Sequence, residues 1–92
     1  MSEEERLEIM RREIERFETE RMNDPVACLS MDVVESGGKF ILRGTFSDGS
    51  AITVHTNDSR EGLLRDYERI ILGMWGVESM EELDIKFSSE GW

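Results

Sequence analysis

The side chains with the greatest chemical reach in this 92-residue chain are one cysteine, Cys28, and one histidine, His55. A thiol beside an imidazole is the smallest arrangement for nucleophilic catalysis, because the imidazole takes the thiol proton while a third group orients it. Both residues fall in alternating segments, on the first and third strands of a meander. That places them on one face but not opposite each other. Zinc asks for three or four Cys, His or carboxylate ligands at defined spacing, and no such cluster is present. Asn57-Asp58-Ser59-Arg60-Glu61-Gly62 superficially resembles a calcium loop. Its oxygen ligands do not alternate correctly before the glycine, and no Glu follows at the required place. The glycines at 37, 38, 44 and 49 belong to strands and turns, and none opens a helix as a phosphate-binding loop does. The expectation is a protein that is not an enzyme and holds no cofactor, metal or small-molecule substrate.

Carboxylates are the abundant functional group: 21 Asp and Glu against 11 Lys and Arg give a formal charge of −10. A general acid needs a pKa raised by burial, whereas these acids sit among charged neighbours on helix faces. Nucleic-acid affinity rests on cations that neutralise phosphates, so the balance argues against direct DNA or RNA binding and for a protein partner with a basic surface. The charge is uneven. Residues 1–24 carry nine acids and five bases, 25–57 three and two, and 58–92 nine and four. Much of the first block pairs with itself. After Gly76, five acids face one lysine, with Trp75 and Trp92 on either side. Glu78, Glu81, Glu82, Asp84, Glu90 and Trp92 are therefore the candidate partner-binding residues, since tryptophan favours interface hot spots and acid complements a cationic groove. The opening MSEEERLEIM has no apolar signal region, no run of about eighteen apolar residues exists, and the lone Cys cannot form an internal disulfide. A cytoplasmic protein with no membrane contact is expected.

These residues must be positioned by a small number of elements within a single domain spanning 1–92. Residues 3–22 predict an amphipathic helix with Leu7, Met10, Ile14 and Phe17 as its apolar stripe and Ser2 as its cap. Glu8 with Arg12, Arg11 with Glu15, and Arg16 with Glu20 lace its outer face at i,i+4 spacing. Asn23-Asp24-Pro25 ends it. A three-stranded meander follows over 26–56. Ala27, Leu29, Met31 and Val33 alternate with Cys28, Ser30 and Asp32, and Gly37-Gly38 makes the first hairpin turn. That turn pairs Val33 with Leu42, Leu29 with Phe46 and Asp32 with Arg43. A three-residue loop at Ser47-Asp48-Gly49 then aligns Gly44 with Ile52 and Leu42 with Val54, leaving Gly44 on the core face where a helix could approach closely.

A second helix is predicted over 60–75, with a broad stripe of Leu63, Leu64, Tyr67, Ile70, Ile71, Met74 and Trp75, stopped by Gly76. Ser79 and Glu82 have capping-box spacing, so a short turn starts there. Leu83, Ile85 and Phe87 alternate with Asp84 and Lys86, which predicts a last strand, so that turn and strand together occupy 79–88. The fold class is α+β in the order α-β-β-β-α-β: a four-stranded, mostly antiparallel sheet, strand order 3-2-1-4, with two helices packed on one face. The other face would carry Val26, Cys28, Ser30, Asp32, Val34, Ile41, Arg43, Thr45, Thr53, His55 and Lys86.

Over residues 3–75 the α-β-β-β-α order is similar to that of double-stranded-RNA-binding domains and of small toxins with the same layout. Those modules carry Lys and Arg at the start of the last helix. Here that segment is Asp58-Ser59-Arg60-Glu61-Gly62, two acids and one base, so the topology carries over and the activity does not. In length, acidity and helix-meander-helix layout the chain resembles the small acidic anti-CRISPR proteins of phages. That resemblance implies an inhibitor acting in the host cytoplasm. Its partner would be a CRISPR effector complex, blocked by steric and electrostatic occupation of the basic channel for DNA or RNA. The alternatives are a designed α+β scaffold without biological function, suggested by the compact turns and dense i,i+4 pairs, and a small hydrolase or toxin using Cys28 and His55.

Overall fold

The computed structural model describes residues 1–90. The element order is α1 (Glu3–Met22), β1 (Cys28–Ser36), β2 (Lys39–Phe46), β3 (Ala51–Asn57), α2 (Arg60–Trp75) and α3 (Met80–Ser89). The helix α1 begins as expected: Ser2 Oγ accepts from the Glu5 backbone N–H at 3.2 Å, and the Glu5 carboxylate accepts from the Ser2 N–H at 3.3 Å. It ends at Asn23, which adopts a left-handed φ of 57° before Pro25. Its buried face is wider than the predicted stripe. Ile9, Met10, Glu13 and Ile14 are buried, Leu7 is half-buried and Phe17 is exposed. A helix covered on two sides buries residues beyond one stripe. The sheet covers one flank of α1 and α3 the other.

The meander forms one antiparallel sheet in the order β1-β2-β3. Val33 opposite Leu42, Asp32 opposite Arg43 and Gly44 opposite Ile52 match the turn geometry. Two bulges change the rest. In β1 the register shifts between Cys28 and Ser30, so Leu29 is the extra residue, Cys28 rather than Leu29 faces Phe46, and Leu29 is 63% exposed. In β3 the extra residue is Val54, so Leu42 faces His55. A bulge inserts one residue and reverses the faces of everything beyond it. Cys28 and His55, both expected on the open face, therefore lie on the helix-covered face. Asp32, Arg43 and Thr53 remain on the open one, and all three are exposed.

Asn57 joins β3 to α2. Its Oδ1 accepts from the Ser59 backbone N–H at 2.9 Å and its Nδ2 donates to Asp66 Oδ2 at 2.7 Å. A Cβ at Gly62 would stand 3.0 Å from that same Oδ1, so the missing side chain is what lets α2 start so close to the strand. The Cβ position of Gly44, by contrast, faces the Cys28 and Met31 side chains at 3.8 Å. The space there is filled from the neighbouring strand and not, as expected, by a helix.

The predicted fourth strand is a helix, so among the described residues the sheet has three strands instead of four, and there are three helices instead of two. Ser79 caps as anticipated, accepting from the Glu82 N–H at 3.2 Å, but the helix it starts continues to Ser89. The alternation of Leu83, Ile85 and Phe87 misled because Met80, Leu83 and Phe87 are also spaced by three and four, and a short apolar run fits both periods. Burial decides between them: Leu83 and Phe87 are 0% exposed and Ile85 is 68% exposed. The helix α3 packs on α1 and α2, and its Phe87 meets Trp75 edge-on with ring centroids 5.7 Å apart. One core runs through the molecule, from Cys28, Met31, Leu42 and Phe46 on the sheet, through Met10, Ile14, Leu64 and Ile71, to Leu83 and Phe87.

Candidate functional site

The acidic segment after Gly76 divides once it is helical. Asp84 pairs with Arg12, and Glu90 with Arg16, both on α1. The Arg16 guanidinium also lies over Trp75, 4.8 Å from the ring centroid. These two acids tie α3 to α1 and are not a free acidic surface. Trp75 is itself half-buried in the core, and Trp92 lies outside the described residues. Glu78, Glu81 and Glu82 stay exposed. Among the described residues none of the three has an ion pair, and the Glu82 carboxylate only accepts from the Glu78 backbone N–H at 3.2 Å. Ile85 projects from the same helix at i+4 from Glu81 and i+3 from Glu82, so an apolar side chain stands in water beside carboxylates.

Cys28 and His55 are not brought together. Two interstrand spacings and four residues along β2 separate their positions, about 16 Å by standard sheet dimensions. Cys28 is buried, its thiol reaches the Ser30 carbonyl at 3.4 Å, and burial pushes its pKa up, which leaves it a packing residue. His55 stands over Tyr67, with ring centroids 6.4 Å apart and Nε2 4.0 Å from Asp66. Among the described residues no group of three or more His, Cys, Asp or Glu could hold a metal ion, and no helix is long and apolar enough to cross a membrane.

The structure adds a site that the hydrophobic periodicity of α1 does not mark. Glu13 is the one buried charged residue among those described, 1% exposed. Tyr67 Oη donates to its Oε1, and Trp75 Nε1 donates to its Oε2 at 3.2 Å. Both donors are neutral, and among the described residues Glu13 makes no ion pair. Burial pushes the Glu13 pKa up against the pull of those two hydrogen bonds, and Tyr67 is raised by burial and by the adjoining carboxylate. The sequence did carry a signal. Position 13 is i+4 from Ile9 and i+3 from Met10, on the apolar side of α1, where a carboxylate needs an explanation.

Glu13 and Tyr67 line an open cleft of about 300 Å3 between α1, α2 and β3, walled by Ile14, Phe17, Ile52, Val54, Ile70 and Met74. Phe17, Ile70 and Met74 are 37%, 45% and 51% exposed, so three large apolar side chains that could have been buried converge on one opening. No protein-family model, curated protein or solved structure matches the chain.

Proposed function

We propose that the protein is a protein-binding module that engages a cationic surface through the outer face of α3. The observation that carries this reading is the composition of that face. Among the described residues Glu78, Glu81 and Glu82 have no cationic partner, and the 68%-exposed Ile85 stands beside them, an apolar anchor with an acidic surround. The other two acids of the segment, Asp84 and Glu90, are paired with α1, and Trp92 lies outside the described residues. The resemblance to anti-CRISPR inhibitors makes a CRISPR effector complex the first partner to test, with the acidic helix standing in for phosphate in its nucleic-acid channel.

Target-DNA binding by purified effector complexes, measured with and without the protein at low and high salt, tests the reading. The expected result is inhibition that weakens as salt rises. The variants Glu81→Lys with Glu82→Lys, and separately Ile85→Ser, should each reduce it about tenfold or more. Full inhibition retained by both variants would place the interface elsewhere. Unchanged DNA binding with every effector type would remove the inhibitor reading.

A further inference from the structure

We propose that the cleft between α1, α2 and β3 is a binding site for a small apolar ammonium compound, a primary amine on a hydrocarbon body, with its charged head directed at Glu13 and Tyr67.

Three features carry this. The walls are apolar, and three of their side chains, Phe17, Ile70 and Met74, are left partly in water, so an apolar body gains by covering them. The floor holds a carboxylate whose hydrogen bonds come from two neutral donors and which has no cation beside it among the described residues. A buried charge without a counter-ion is the costly case, and a cation that reaches it recovers much of that cost. The third feature is the pattern of donors and acceptors. Tyr67 donates to Glu13, so its oxygen lone pairs can accept from an incoming N–H. An anion or a neutral alkane meets none of these groups favourably.

The remaining charge near the opening agrees with the choice. Glu18 also lines the cleft, and its partner Arg21 is largely exposed, side chain 60% accessible. The net charge of −10 favours the approach of cations over anions. The volume of about 300 Å3 holds a ligand of about ten non-hydrogen atoms at the space of one water each. That is the low end for small-molecule sites, and hexylammonium or phenethylammonium falls within it.

The test is a head-group series on the full chain. Hexylammonium, 1-hexanol and hexanoate are titrated into protein carrying 13C-methyl methionine, and the Met74 methyl resonance and calorimetry are followed near neutral pH. The expected order is ammonium tightest, alcohol about tenfold weaker, and hexanoate weakest. The variant Glu13→Gln keeps the size of the side chain and can still meet Tyr67 and Trp75, and it should bring ammonium and alcohol to within about twofold of each other. Should that variant fail to fold, Ile70→Trp fills the cleft from a 45%-exposed position without touching Glu13, and it should abolish binding of all three compounds. Hexanol binding as tightly as hexylammonium overturns the proposal, as do a Met74 methyl unmoved at saturating amine and a full ammonium preference in Glu13→Gln. Undiminished ammonium binding in Ile70→Trp does so equally.

Discussion

Replacing Leu83 or Ile85 with alanine separates the helix from the strand that the same five residues could have formed. The two aliphatic side chains have equal carbon counts and sit two positions apart, so in a strand they share a face and lose similar amounts on truncation. In the helix Leu83 is 0% exposed, and emptying such a site costs about 2–5 kcal/mol. Ile85 is 68% exposed. The third of it that is covered is worth about 0.5–1 kcal/mol, and the better helix propensity of alanine returns about 0.4. The expected costs are therefore about 3 kcal/mol for Leu83→Ala and below about 0.6 for Ile85→Ala. A domain of this size has about 5–14 kcal/mol of stability in total, so the first variant remains folded but visibly weakened. Urea denaturation followed by far-ultraviolet circular dichroism reads both, and with slopes of about 1–3 kcal/mol per molar the Leu83→Ala midpoint should fall by about 1–3 M. Equal losses for the two variants, or a loss above about 1.5 kcal/mol for Ile85→Ala, would refute the helical assignment of α3.

The buried carboxylate predicts an inverted pH dependence. Because the folded-state pKa of Glu13 is raised, its contribution to stability is fully present below the ordinary carboxylate range and is lost as pH rises through the raised value. Glu8 and Asp48 have lowered pKa values and act in the opposite sense, their contributions being lost as pH falls, but they are common to wild type and variant and cancel in the difference. Glu13→Gln should match wild type near pH 4 and exceed it by about 1–2 kcal/mol at pH 8 in urea unfolding. A difference that stays constant with pH counts against a buried, raised carboxylate. The bulge at Leu29 makes a separate prediction about Cys28, whose thiol is buried and raised in pKa. Alkylation by iodoacetamide in the native protein at pH 8 should be slower than in urea by about a hundredfold or more, because it waits for opening of the strand. Rapid labelling in the native state would return Cys28 to the open face of the sheet.

What could be read before folding was local. The Ser2 and Ser79 caps, the two glycine-bearing turns, the stop at Asn23-Asp24-Pro25 and the order helix, meander, helix all follow from chemistry within a few residues along the chain. The acid surplus was equally plain. Tertiary structure decided the rest, because it turned on a choice between nearly equal local alternatives. One extra residue at Leu29 and one at Val54 cost little in isolation, yet each reverses a strand face, and so Cys28 and His55 moved. The run Leu83 to Phe87 satisfied both periods until α1 and α2 presented a groove that only its helical face could fill. Asp84 and Glu90 lost their free charge because α3 lies beside Arg12 and Arg16, partners more than seventy positions away in the chain. Glu13 looked like one more helix-surface acid until Tyr67 and Trp75 closed over it. Charge and caps are properties of residues, whereas burial is a property of neighbours, and for this protein the neighbours that matter are distant in sequence.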